Sequence, residues 1–150
     1  MIVDDQMIKL TSDTRALSGP VAASQAASFS ALEQAYADLG LELSARDPAN
    51  GVLAVESARL MRRLGGTSLS KFFDCGTTFG GPAADNHRIR LSLQSTVRPT
   101  GDNASEVATL VRVFAQNMEG TSRNEFSCTS TGALEERLLG DVRMRVARGQ

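Results

Sequence analysis

The chain has 150 residues, enough for one domain with a buried core, and only 5% of them are aromatic. Its 16 Lys and Arg and 17 Asp and Glu give a net charge of −1, which argues against nucleic acid as a partner because such proteins carry a basic stripe. No window approaches the roughly 18 consecutive apolar residues that favour a membrane-spanning helix.

The N-terminal residues have the composition of an arm. Residues 2–10 alternate weakly and predict one short strand, and the residues after them are small and polar with a Gly-Pro break. Asp4 and Asp5 stand where a signal peptide needs cations, and no apolar segment follows them. We expect an extended arm or linker over residues 1–27 and a single domain over residues 28–150. We therefore expect either a cytoplasmic protein or an exported protein from which the signal peptide has been removed.

A helix, a strand, a tight turn and a second strand are predicted next. Ser30 and Glu33 form a capping box, and Gly40 supplies a left-handed stop. Between them the apolar residues recur at helical spacing: Leu32, Ala35, Tyr36 and Leu39. Residues 41–47 and 52–60 then alternate as strands around the turn "DPANG".

The middle of the chain is less regular. Gly65 and Gly66 break the pattern, and one or two helical turns capped by Thr67 or Ser68 are expected after them. Residues 77–85 predict an irregular loop. The run "GTTFGGP" lacks the Gly-Lys-Ser/Thr of a phosphate-binding loop, so we interpret its glycines as turn residues.

Two long strands are predicted to form the main antiparallel hairpin. In residues 87–99 the apolar side chains alternate with polar ones, and residues 106–118 continue this pattern. The inward set is Ile89, Leu91, Leu93, Val97, Val107, Val111 and Val113. Residues 125–128, "EFSC", are expected to add a short strand.

The C-terminal segment predicts a long amphipathic helix. Leu134, Leu138, Val142 and Val146 recur every four residues, while Glu135 and Glu136 lie in the first turn as the helix dipole favours. The predicted fold class is therefore α+β, with two layers. We expect an antiparallel sheet of about four or five strands with two main helices packed on one face.

Cys75 and Cys128 are the only two cysteines, each flanked by turn residues. We predict that they form a disulfide, which would close a loop of about 50 residues, contribute on the order of 4 kcal/mol and indicate an oxidising compartment. The competing interpretation is two separate buried thiols. His87 is the sole histidine, and combining it with Asp85 and Ser68 or Ser130 as a triad would need a motif that the chain lacks.

Two groups of residues are candidates for an interface. Arg88, Arg90 and Arg98 share the outward side of one predicted strand and would face an acidic protein or acidic lipid. The alternative is a solvated sheet face, or pairing with Glu106 and Glu119 across the hairpin. The second group is Phe72, Phe73 and Phe79, of which some are expected to cap the core and any exposed one to anchor a partner.

The passage "FSALEQAYADLGLELSARDPANGVLAV" resembles segments of small bacterial envelope lipoproteins. Among them are the repeated α+β domains of the lipoprotein in the outer-membrane barrel-assembly machine. The shared pattern is a helix with "AL..AY..LG", a strand, an Asp-containing turn with Gly and a second strand. The resemblance implies a binding or scaffolding module without catalytic residues.

The predicted function is a non-catalytic periplasmic accessory or scaffold subunit that docks on a larger membrane-associated assembly. Biogenesis machinery, a secretion apparatus or an energy-transducing complex such as a photosynthetic reaction centre would fit. We expect protein subunits as partners, peripheral membrane contact, and neither cofactor nor metal. The location is the periplasm or cell envelope, or the cytoplasm if the cysteines are not bonded. The alternative function is a small-molecule or lipid binding domain.

Overall fold

The computed structural model describes residues 16–116 and 125–149. In this part of the chain, two α-helices pack on one face of a seven-stranded sheet in which all strand pairs are antiparallel. The predicted α+β class with two helices is confirmed. The prediction of four or five strands was too low, because a strand lies inside the predicted arm and another spans only two residues.

The elements follow one another in a simple order. They are β1 (Leu17–Val21), α1 (Gln25–Asp38), β2 (Ala45–Asp47), β3 (Val52–Met61), β4 (Arg63–Leu64), β5 (Thr67–Ser68), a 3-10 turn (Leu69–Lys71), β6 (Phe73–Asp74), β7 (Thr77–Thr78), β8 (Gly81–Pro82), a 3-10 turn (Ala83–Asp85), β9 (Arg88–Gly101), β10 (Ala104–Gln116), β11 (Glu125–Ser130) and α2 (Ala133–Ala147). The predicted loop over residues 77–85 therefore contains a small β7–β8 hairpin.

The strand β10 holds the sheet together. The sheet order is β2-β3-β9-β10-β11-β6, and β9 pairs with β10 along its whole length. On its other edge β10 is shared by two strands that lie end to end. β1 pairs there with residues 105–109 and β11 with residues 113–116.

The predicted boundary between arm and domain is wrong. Residues 17–21 form β1, and α1 begins at Gln25 with Ser24 as N-cap, whose hydroxyl accepts a hydrogen bond from the Ala27 amide at 3.2 Å. Ser30 lies inside the helix and caps nothing. Ser28, the predicted first residue of the domain, lies inside α1, and its hydroxyl is buried 2.8 Å from that of Ser105. The strand predicted over residues 2–10 lies outside the described residues.

The core lies between the helices and the sheet. Leu32 and Tyr36 of α1 and Leu138 of α2 are almost without solvent exposure. They face the inward set of β9 and β10, all of which is buried as predicted. Burial of these aliphatic side chains supplies most of the stabilisation, since each contributes about 1.5–3 kcal/mol.

A pair of buried hydroxyl contacts also joins α1 to the sheet. Tyr36 Oη lies 2.6 Å from Ser95 Oγ, which lies 2.8 Å from Thr109 Oγ1. Desolvation by burial raises the pKa of Tyr36 to about 12, although the hydrogen bond with Ser95 opposes the rise. The buried hydroxyl groups of Tyr36, Ser95 and Thr109 thus form hydrogen bonds with one another.

Candidate functional site

The predicted disulfide is confirmed. Cys75 and Cys128 are bonded, with their Cα atoms 4.5 Å apart. Cys128 is buried in β11 opposite Val113 of β10, so the bond fastens the segment after β6 to the sheet. Such a bond persists in oxidising surroundings and fits a location outside the cytoplasm.

One side of the sheet is not covered by any described element. Both helices pack on the inner side, so alternate side chains of β3, β9 and β10 point away from them. We call this side the outer face. Its side chains are Arg59, Met61, Arg88, Arg90, Ser92, Gln94, Thr96, Arg98, Glu106, Ala108, Leu110, Arg112, Phe114 and Gln116.

Arginines gather at one end of the outer face. Arg59 of β3 lies opposite Arg90 of β9, Arg88 is two residues from Arg90, and Arg112 of β10 is opposite Ser92. We call Arg59, Arg88, Arg90 and Arg112 the basic patch. Strand pairing alone brings these charges together, since they are far apart in the chain.

Arg90 is the one member of the basic patch with a charged partner in the described residues. Its guanidinium donates to both carboxylate oxygens of Glu125, at 2.9 and 2.8 Å, and lies 4.6 Å from the ring centre of Phe114. These hydrogen bonds raise the pKa of Arg90 and lower that of Glu125. Arg90 is thereby held over the ring of Phe114 by a cation–π contact and by two charge-assisted hydrogen bonds.

The other three members of the basic patch have no charged partner in the part of the chain that the structure describes. Arg59, Arg88 and Arg112 make no ion pair within residues 16–116 and 125–149. A groove of about 610 Å³ runs between Arg59, Arg88 and Arg90, with Met61 half exposed beside it. Further along the outer face, Leu110 and Phe114 are only partly buried. The outer face therefore combines positive charge with accessible apolar surface.

Arg98, the third predicted arginine, behaves differently. It lies at the opposite end of β9 and forms an ion pair with Glu106 of β10. This is the cross-hairpin pairing that the alternative interpretation predicted. Glu119, the other predicted partner, lies outside the described residues. Arg98 is thus compensated and separate from the basic patch.

The predicted phenylalanines divide into buried and exposed residues. Phe72 is 3% exposed and Phe73 is 1% exposed, so both belong to the core and neither can be an exposed interface anchor. Phe79 lies in the β7–β8 turn and is fully exposed. Sequence reasoning missed Phe126, which is 42% exposed and meets the His87 ring edge-on at 5.6 Å.

The residues considered for a hydrolase triad are engaged elsewhere. Asp85 accepts hydrogen bonds from the amide and hydroxyl of Ser70 at 2.9 and 2.7 Å. The Nδ1 atom of His87 lies 3.0 Å from the carbonyl oxygen of Ala83. Ser130 donates to the buried carboxylate of Glu135 at 2.8 Å. Strand and turn positions thus account for each of them separately.

Two wider searches of the described residues gave no site. Across residues 16–116 and 125–149, no three His, Cys, Asp or Glu side chains are grouped so as to hold a metal ion. Neither helix described there has the length and apolar character needed to cross a membrane.

Comparison with known proteins gives no family. No family model matches the chain, and no curated protein matches it. The resemblance to envelope lipoproteins stays a prediction.

Proposed function

We propose that the chain is a non-catalytic accessory module of the periplasm or cell envelope that binds a subunit of a membrane-associated assembly through its outer face. The observation that carries this proposal is the basic patch beside accessible Phe114 and Leu110. Arginine and aromatic side chains are the residue types that dominate the energetics of protein interfaces. The partner surface would be acidic at its edge and apolar at its centre.

The charge of the outer face favours a partner surface over plain solvation. The side chains of Arg59, Arg88 and Arg112, which form no ion pair with any described residue, lie on adjacent strands, where their mutual repulsion slightly destabilises the isolated domain. An acidic partner would relieve that repulsion and speed association. Among the described residues, Glu56 and Glu125 are acidic and line the same surface, and Glu125 is already paired with Arg90.

The compartment in this proposal rests on the disulfide between Cys75 and Cys128. Disulfides are rare in the reducing cytosol of most organisms and common in exported proteins. An exported accessory domain would meet its partner at a membrane surface, where assemblies for biogenesis, secretion or energy transduction expose their subunits. Peripheral contact with the membrane itself would follow from the same position.

Charge reversal tests the proposal. Arg88→Glu and Arg112→Glu change the outer face only, and Lys71→Glu is the matched control on an exposed 3-10 turn away from it. We expect each reversal to weaken co-sedimentation with the native envelope assembly by about tenfold or more, with salt having the same effect. The Lys71→Glu variant should behave as the unaltered chain does.

Two results would contradict the proposal. One is a chain that sediments at its own mass in native envelope extracts. The other is an association that both reversals leave intact.

A second candidate function, small-molecule or lipid binding, has one observation in its favour. An apolar groove of about 550 Å³ lies between the end of α2 and the strands β1 and β10, with Val21, Val146 and Ala147 in its wall. Native mass spectrometry of the purified protein would detect a retained ligand. Val146→Trp would fill the groove and should abolish that retention. A spectrum without ligand after gentle isolation would argue against this second function.

A further inference from the structure

The edge of β3 that faces away from β9 is only partly covered by β2. β2 is short and pairs only with residues 52–54 of β3. Within the described parts of the chain, no strand pairs with the same edge over residues 55–61. An open strand edge presents backbone amides and carbonyls that bind another strand readily.

A bulge separates the covered and open parts of this edge. The register between β3 and β9 shifts between Val55 and Ala58, and regular pairing then continues to Met61 opposite Arg88. The bulge ends the pairing with β2, because it turns the strand away from the earlier direction. Residues 58–61 are left as a short, regularly pleated edge.

This edge borders a groove of about 490 Å³ that extends to residues 40–44, the segment that follows α1. Leu43 and Leu60 line the groove and pack, partly buried, against the core. Leu60 points inward because its partner is the buried Ile89, and Arg59 points outward because its partner is Arg90. Over residues 58–61 the inner side of the edge is thus apolar and its outer side carries Arg59. Glu42 and Glu56 also line the groove.

We propose that this edge binds an extended segment of a partner protein in which apolar residues alternate with acidic ones. The segment adds a strand beside residues 58–61, as in other complexes formed by strand addition. Its apolar side chains enter the groove against Leu43 and Leu60. Its acidic side chains lie on the other side, next to Arg59.

Charge selects this partner over a second copy of the chain. Pairing residues 58–61 of two copies would place two Arg59 side chains on the same side of neighbouring strands, and like charges there are destabilising. An acidic segment would instead place opposite charges beside Arg59 and stabilise the strand pair. The inference goes beyond docking through the outer face, since it concerns backbone pairing at the side of the sheet.

The test uses the full chain labelled with ¹⁵N and a short synthetic peptide of alternating valine and glutamate. In the free protein, we expect fast exchange for those amides of residues 58–61 that point to the open edge, while the alternate amides are hydrogen-bonded to β9. Adding the peptide should slow that exchange and shift the signals of residues 41–44 and 58–61. A peptide with lysine in place of glutamate should bind about tenfold more weakly.

Three controls separate strand addition from other effects. Arg59→Glu should reverse the preference, so that the lysine peptide binds more tightly than the glutamate peptide. A glutamate peptide with N-methylated valines should lose binding, because it cannot donate backbone hydrogen bonds. Arg112→Glu, on the outer face away from the edge, should weaken docking on the assembly and leave peptide binding unchanged.

Several outcomes would overturn the inference. These are peptide-induced shifts outside the two segments, equal binding of both peptides, or a preference that Arg59→Glu does not change. Slow exchange without peptide at the amides of residues 58–61 that point away from β9 would mean that another segment of the chain already covers the edge. Slow exchange that depends on protein concentration would mean that a second copy does.

Discussion

Tyr36 in α1 and Ser95 in β9 meet through their hydroxyl groups, 2.6 Å apart in a site that solvent does not reach. The contact continues to Thr109 in β10, so one tyrosine links a helix to the two central strands. Tyr36 is also the only tyrosine of the chain. Its ionisation therefore gives a spectroscopic signal for this interface alone.

Alkaline pH should destabilise the protein through Tyr36. Burial raises the pKa of Tyr36 to about 12 in the folded state, whereas an unfolded chain has a tyrosine pKa of about 10. The folded state holds the Tyr36 proton more tightly, so the contribution of this group to the unfolding free energy is fully present below about pH 10. It is lost as pH rises to about 12, by up to about 1.4 kcal/mol per pH unit. The ultraviolet absorbance of tyrosinate during a titration measures the pKa directly.

The control for that titration is the chain in denaturant, where the midpoint should return to about 10. Tyr36→Phe should remove this part of the alkaline dependence of the unfolding free energy. A midpoint near the ordinary value in the folded protein would show that the hydroxyl is hydrated.

Removing the disulfide should lower stability. Replacing Cys75 and Cys128 by alanine, or reducing them, reopens a loop whose ends are 53 residues apart, and we expect a loss of about 3–4 kcal/mol in the unfolding free energy. Denaturant unfolding with and without reductant measures it, and reductant should not affect the double variant. Intact mass after alkylation gives the independent check, because thiols that alkylate without reduction would refute the bond.

The turn between β2 and β3 should not tolerate a side chain at Gly51. This residue has φ +68°, and a β-carbon there would lie 2.1 Å from the carbonyl oxygen of Val97. Gly51→Ala should therefore cost at least about 2 kcal/mol from strain and displacement together. Gly66→Ala is the matched control, since Gly66 has φ +80° and open space around it, and should cost about 1 kcal/mol. Equal losses in thermal unfolding would argue against the close approach.

The ion pair of Arg90 and Glu125 should matter little for stability. Both side chains are about one-third exposed, so solvent screening limits their coupling to about 0.5 kcal/mol. Arg90 lowers the pKa of Glu125 in the folded protein. The stabilisation from the ion pair is therefore present above the ordinary glutamate pKa and is lost as pH falls through the lowered pKa of Glu125. A double-mutant cycle with Arg90→Gln and Glu125→Gln measures the coupling, and a value of several kcal/mol would contradict this expectation.

Periodicity identified the parts of the fold that have one face in the core and one in water. The alternation of β9 and β10 and the four-residue spacing of Leu134, Leu138 and Val142 were enough to assign their inward sides. The cysteine pair followed from turn residues and the absence of other ligands. These signals are local, and the structure agrees with them.

Elements defined by distant partners could not be found in this way. β1 is a short segment with Gly and Pro, and it becomes a strand only because β10 offers an edge far along the chain. The burial of Ser28 likewise depends on Ser105, 77 residues away. Two of the four members of the basic patch, Arg88 and Arg90, were predicted from the sequence because they share a strand. Arg59 and Arg112 were not predicted, because only the cross-strand register brings them beside the other two.

The sharing of β10 by β1 and β11 determines when the protein can fold. β1 pairs with β10, which lies in the last third of the chain. Arg143 of α2 also donates a hydrogen bond to the carbonyl oxygen of Pro20 in β1, 123 residues away. Contacts of such high sequence separation slow folding and leave little for an incomplete chain to form. A nascent chain can therefore add β1 to the sheet only after residues 105–109 of β10 have been synthesised.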